Sequence, residues 1–217
     1  MPRYNTVLFD LDGTLTFSHT GIIASIQYAL RKAGITPPPE SELISYIGPS
    51  LLDSFQNHLG LSLEEAQTVL LYYREYFADK GMLQNELVPG ILDVLESLQR
   101  EALRLFIATA KPEPYAKIIA DHFGLSRYIL QVFGASFDES RSAKSLVIAY
   151  ALNETATAPN QCVMVGDHAQ DVLGAQANKI DCIAVAYGYG AADELRAANP
   201  IYLAQSPQDA LRFILAK

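Results

Sequence analysis

Charge is scarce in this 217-residue chain, and positive charge is scarcer still. Asp, Glu, Lys and Arg make up 18% of residues, 16 basic against 24 acidic, for a net charge of -8. Nothing in that balance serves a general nucleic-acid or anionic-membrane binder, and none is expected as a partner. Cysteine is limited to Cys162 and Cys182, each inside an apolar run. Both read as small buried hydrophobes rather than as disulfide partners or a catalytic thiol. Four scattered histidines and two such cysteines offer no zinc ligand set. No apolar run approaches membrane-spanning length. Val7 to Phe9 is too short an apolar stretch before the first acid to be a signal peptide, so a cytoplasmic location is the expectation. Internal repeats and low-complexity segments are also lacking. What is present is apolar mass: half the residues are hydrophobic, enough for one large domain or a domain carrying an inserted subdomain.

Short runs rich in β-formers recur at Thr6–Phe9, Arg104–Ala108, Ile129–Gly134, Cys162–Val165, Ile183–Ala186 and, more weakly, Tyr202–Ala204. Helical stripes lie between most of them: Ile91, Leu92, Leu95 and Leu98; Ile118, Ile119 and His122; Leu146, Val147, Tyr150 and Ala151. Strands alternating with helices mean right-handed crossovers and a parallel sheet covered on both faces, an α/β Rossmann-like core. One crossover carries some seventy residues without a strand signal. Its apolar positions (Ile22, Ile26, Ala29, Leu30; Leu51, Leu52, Phe55, Leu59; Ala66, Val69, Tyr73, Phe77) follow helical spacing. A structureless loop of that length is improbable in a compact domain. The division expected is a core of residues 1–15 and 85–217 and an all-helical cap of residues 16–84. The insertion leaves and returns at the carboxyl ends of the strands, where open α/β sheets bind ligands.

The stretch VLFDLDGTLT, residues 7–16, ends a buried strand in two acids. Residues i and i+2 of a strand share a side, about 6.5–7 Å apart, so Asp10 and Asp12 face one cleft while Leu11 points away. Asp and Gly are also ordinary turn residues, so this motif alone fits a plain turn as well. Three more strand ends carry polar groups: Thr109, which alone reads as a helix cap; Lys144, which alone reads as a surface lysine; and Asp167 with Asp171 four residues on, which alone fit a helix dipole. Together, in order, they make a site. An anionic substrate of so acidic a chain requires local positive charge, from a metal or a lysine.

This ordered set of DxDGT, Thr, Lys and GDxxxD resembles the haloacid-dehalogenase superfamily, in its phosphatase branch with a helical cap after the first motif. The resemblance runs along essentially the whole chain. YIGPSLLDSF (46–55), YYREYF (72–77), ATAKPEPYAKII (108–119), SRSAKSLVIAYAL (140–152) and VAYGYG (185–190) are similar to the phosphoglycolate-phosphatase-like and bacterial 5′-nucleotidase-like members. It implies Asp10 as nucleophile, forming an aspartyl-phosphate, and Asp12 as general acid and then base. It further implies Mg²⁺ held by Asp10, Asp167, the Asp12 carbonyl and Asp171, directly or through water, with Thr109 and Lys144 on the phosphoryl group. A small phosphorylated metabolite is the implied partner, taken by a monomer or homodimer. Gly48 and Ser50, in a turn between two cap helices, are candidate substrate contacts.

Phe17, His168 and Ser145 depart from the pattern of many relatives without removing a catalytic group. His168 reads as packed or solvent-facing rather than as a base, and Lys111 rivals Lys144 as the phosphate cation. Gly188 and Gly190 fit a plain turn better than a phosphate cradle. A haloacid dehalogenase does not need Asp12. A phosphonate hydrolase needs a cap lysine, and Lys32 and Lys80 sit in ordinary helical contexts. A sugar-phosphate mutase shares the Asp pair and remains the alternative. A signalling receiver domain would be shorter and lack the helical insertion, and a silent binding protein would not keep the full catalytic set.

Overall fold

Val7, Leu8 and Phe9 are apolar without alternation, as a strand covered on both faces must be, and all of β1 (Thr6–Phe9) is buried. The computed structural model describes residues 3–138 and 140–216. After β1 come β2 (Thr16–Phe17), α1 (His19–Lys32), α2 (Glu40–Leu43), α3 (Leu51–Leu59), α4 (Leu63–Asp79) and β3 (Glu86–Leu87). The chain continues as α5 (Ile91–Arg100), β4 (Arg104–Pro112), α6 (Glu113–His122), β5 (Gln131–Ala135), α7 (Lys144–Glu154) and β6 (Cys162–Gly166). It ends with α8 (Ala169–Ala177), β7 (Asp181–Val185), α9 (Ala192–Ala197), β8 (Tyr202–Ala204) and α10 (Pro207–Leu215).

Two units result, residues 1–16 with 87–217, and residues 17–86. The first holds a six-stranded sheet in the order β5-β4-β1-β6-β7-β8, parallel throughout. From β1 the chain builds one flank through β4 and β5 and the other through β6, β7 and β8. The order therefore reverses beside β1, and the carboxyl ends of β1, β4 and β6 meet where such sheets form a crevice. One face is packed by Leu8, Phe106, Phe133, Val147, Ile148, Met164 and Cys182, all buried. Both cysteines are free and buried. Burial pushes the Cys162 thiol up to about 12, in keeping with a packing role.

The second unit is helical. Ile22, Ile26, Ala29 and Leu30 of α1 are buried, as are Ala66, Val69, Tyr73 and Phe77 of α4. Ser62 and Glu65 form a reciprocal capping box that starts α4. The strands β2 and β3 pair as a two-stranded sheet; two residues each, they lacked a legible pattern. The turn that holds Gly48 and Ser50 was expected to follow a cap helix. Instead α2 is a single turn that tightens into a 3-10 turn over Ile44–Tyr46. The stripes also shift. In α6 the buried residues are Ala116, Ile119 and Ala120, while Ile118 is 47% exposed. In α7 Lys144, Val147, Ile148 and Ala151 are buried, and Leu146 is not. No helix among the described residues is long and apolar enough to cross a membrane.

Candidate active site

Asp10 follows β1 directly, and its N–H bonds to the Val165 carbonyl of β6 at 2.9 Å, so the strand-end carboxylate is set by the sheet itself. Gly13, at φ 78°, adopts the left-handed conformation that turns the chain away. The N–H groups of Leu15 and Thr16 close the turn on the Leu11 carbonyl, at 2.9 and 3.0 Å. Asp10 and Asp12 are both buried.

Lys144 is the hub. Its Nζ lies 2.8 Å from Asp10 Oδ1 and 2.7 Å from Asp171 Oδ1, and donates to the Ala108 carbonyl at 3.2 Å. As the first residue of α7 it was open to reading as a surface lysine; it is 5% exposed. Burial alone would lower its ammonium, but Asp10 and Asp171 outweigh that and raise it, so it stays charged. Burial raises the Asp10 carboxyl above its ordinary range, against Lys144 and Thr109, which hold it down.

Lys111 belongs to the same cluster, with Nζ 2.8 Å from Asp12 Oδ2. The sequence reading weighted Lys144 above Lys111; the structure gives each acid of the DxD pair its own lysine. It also corrects the reading of Thr109 as the end of its strand. β4 continues to Pro112, with an irregularity between Thr109 and Pro112, and the N-cap of α6 is Pro112. Thr109 is therefore no helix cap. Its hydroxyl accepts from the Lys111 N–H at 3.2 Å and helps hold Asp10 ionised.

Asp167 and Asp171, both fully buried, come from the end of β6 and the first turn of α8. Asp171 does two jobs: Oδ2 accepts from the His168 N–H at 3.0 Å, the helix-capping role, while Oδ1 faces Lys144. His168 Nδ1 lies 3.2 Å from Asp167 Oδ1. Burial would lower that imidazole, but Asp167, Asp171 and Asp10 together push it up to about 9. His168 is thus packed into the acid cluster. Glycines make the room: a Cβ on Gly166 would fall 2.3 Å from Asp171 Cγ.

Asp167, His168 and Asp171 offer ligand atoms within 4.8 Å of one another. Four carboxylates, Asp10, Asp12, Asp167 and Asp171, face two ammonium groups, so the lysines leave negative charge over. The buried Asp12 Oδ1 has no hydrogen-bond partner among the described residues, and Asp10 Oδ1 and Asp171 Oδ1 share the one ammonium of Lys144. Carboxylate oxygens in excess suit a hard divalent cation.

Gly48 and Ser50 lie in the helical unit, and each has a local role there. Gly48 has φ 105°, and the Ser50 hydroxyl caps α3 by accepting from the Asp53 N–H at 3.4 Å.

The family model for haloacid dehalogenase-like hydrolases matches residues 7–185. The chain belongs to that family. Among relatives of this hydrolase, a 5′-nucleotidase of Pseudomonas aeruginosa is 40% identical over 200 residues, 92% of this chain and 90% of that protein. The tyrosine-protein kinase PtkA of Mycobacterium tuberculosis is 42% identical over 86% of this chain, which spans 64% of PtkA. Among solved structures, a predicted phosphatase from Clostridium acetobutylicum superposes with a TM-score of 0.94 at 39% identity, covering 98% of each chain. The chain is a phosphatase-type hydrolase of this family.

The sequence reading passed over Thr14 and over Lys111 as the Asp12 partner, and took the loop after β7 for a plain turn. Thr14 Oγ1 lies 3.4 Å from Asp167 Oδ1, and the Tyr189 N–H bonds Asp167 Oδ2 at 2.7 Å. The two glycines of YGYG were the available signal for that loop.

Proposed function

We propose that this hydrolase is a Mg²⁺-dependent phosphomonoesterase of small phosphorylated metabolites, phosphoglycolate or nucleoside 5′-monophosphates, working through a phosphorylated Asp10. The observation that carries the reading is the pairing of two acids with two lysines at one strand end. Lys144 sits on Asp10 and Lys111 on Asp12, so the two carboxylates are held in different environments for different tasks.

In this reading Asp10 Oδ attacks phosphorus, the P–O bond to the leaving group breaks, and Asp12 delivers a proton to the departing oxygen. Asp12 then takes a proton from the water that cleaves the acyl-phosphate and returns Asp10. Lys144 holds charge on Asp10 and on the phosphoryl oxygens, and Thr109 supplies a hydroxyl donor. Asp10, Asp167, the Asp12 carbonyl and Asp171 would hold Mg²⁺, which when bound neutralises phosphoryl charge. Residues of the helical unit, Gly48 and Ser50 among them, choose the leaving group. The protein acts in the cytoplasm, as a monomer or homodimer.

The test is phosphate release from a panel of small phosphomonoesters, with Mg²⁺ and again with EDTA. The name of the 5′-nucleotidase relative puts nucleoside 5′-monophosphates first in that panel. Release from a nucleotide or phosphoglycolate that EDTA abolishes is the expected result. Metal-independent turnover would overturn the cation assignment, and turnover only with a sugar bisphosphate present would favour a mutase.

A further inference from the structure

Asp167 is enclosed by glycines from two loops far apart in sequence. A Cβ on Gly13 would fall 2.1 Å from Asp167 Oδ2, and one on Gly188 would fall 2.4 Å from the same oxygen and 2.3 Å from Asp167 Cβ. A Cβ on Gly190 would meet the Asp167 carbonyl oxygen at 1.9 Å. Between the last two, the Tyr189 N–H donates to Oδ2 at 2.7 Å. Real Cβ atoms do not approach other atoms so closely, so each of these positions requires its glycine for clearance. Gly188 and Gly190 are not at positive φ, so backbone conformation does not explain them. A plain turn would have no need of either.

The two oxygens of Asp167 therefore have different surroundings. Oδ2 is committed to the Tyr189 N–H and walled by Gly13 and Gly188. Oδ1 faces the Thr14 hydroxyl at 3.4 Å and His168 Nδ1 at 3.2 Å. The loop is tied to the same corner by Tyr187, whose hydroxyl donates to the Thr14 carbonyl at 3.1 Å. Thr14 and the loop after β7 thus brace one carboxylate from both ends.

We propose that the Gly188-Tyr189-Gly190 turn is a positioning device that fixes the Asp167 carboxylate by occupying Oδ2, leaving Oδ1 as the oxygen that takes the cation. The proposal rests on the metal reading above. Partners that orient a ligand in this way are worth roughly 10- to 100-fold in metal affinity when lost.

The experiment is calorimetric titration of Mg²⁺ into the substrate-free protein, beside the Mg²⁺ dependence of turnover, for wild type and Gly188→Ala. The three atoms nearest to the added methyl all belong to Asp167. Gly188→Ala is expected to raise the Mg²⁺ Kd at least about tenfold, with kcat at saturating Mg²⁺ within a few-fold of wild type. A folded variant with unchanged Kd overturns the proposal, as does a kcat loss that saturating Mg²⁺ leaves in place. If Gly188→Ala does not fold, Tyr187→Phe removes only the tie to Thr14. A two- to fivefold weaker Kd then supports the proposal, and an unchanged one overturns it. Wild-type protein that binds no Mg²⁺ would defeat the metal reading itself; wild-type binding with unaltered variants would defeat the turn alone.

Discussion

The two units of the chain bury different kinds of side chain. Among the described residues the sheet unit buries six aspartates and lysines, Asp10, Asp12, Lys111, Lys144, Asp167 and Asp171. The helical unit buries no Asp, Glu, Lys, Arg or His among the described residues; its buried polar groups include the hydroxyls of Ser18, Ser25 and Ser54. Its ion pairs are on the surface, as with Lys32 and Glu75 at 2.5 Å, whose side chains are 38% and 53% exposed. Taking charges out of water costs several kcal/mol each unless they are paired. The sheet unit concentrates that cost at three adjacent strand ends, where chemistry can use it. The helical unit is built on apolar packing and caps, with its charge pairs on the surface.

Substitutions can break that contrast, and the largest effect belongs to Asp10. Asp10→Asn keeps the shape and removes the nucleophile, so phosphate release is expected to fall by about 10⁴-fold or more, with an unchanged circular-dichroism spectrum. Next, Lys144→Met would leave Asp10 and Asp171 facing each other. Urea unfolding should show a loss of about 3–5 kcal/mol; a loss under about 1 kcal/mol would mean that the buried cluster tolerates its own charge. Asp12→Asn should slow turnover about a hundredfold, and an unchanged rate in rapid-quench measurements would show Asp12 to be structural.

In the helical unit the effects shrink. Ser50→Asp retains a helix-capping oxygen while adding a negative charge. A loss in kcat/KM of about three- to tenfold is expected for phosphoglycolate, with p-nitrophenyl phosphate little affected. An equal loss on both would make Ser50 a folding residue rather than a selecting one. Smallest of all, Glu75→Gln should cost under about 1 kcal/mol in thermal or urea unfolding. A larger cost would mean that charge matters to the helical unit as much as to the sheet.

The parallel sheet was legible because buried strands are continuous apolar runs, and all six strands lie where such runs fall. The helical insertion was legible from its length and 3.6-residue spacing. The pair β2–β3 was not, since four residues carry no period. Ile118 and Leu146 were misassigned to buried stripes because an apolar residue beside a buried one looks like part of the same face. At the site, Asp10, Asp12, Asp167 and Asp171 stand out as acids following apolar runs. Lys111 was ranked below Lys144 because no local pattern shows that β4, which runs on to Pro112, carries its side chain to Asp12. Gly188 and Gly190 looked like turn residues because their requirement lies across space at Asp167, and no local pattern reports that.

The place of β1 in the sheet has a consequence for how the chain folds. Thr6 pairs with Arg104 on one side and with Cys162 on the other, so the first strand made by the ribosome waits for two of the later ones. The helices of residues 17–86 draw on near neighbours in sequence and can form while the remainder is still being synthesised. Until β6 emerges, β1 is an apolar strand with an open edge, the kind of intermediate that associates with other chains. Parallel pairing over such separations is also slow. Recovery of this protein from denaturant should therefore depend on its concentration, with the yield falling as chains meet before β6 closes the second side of β1.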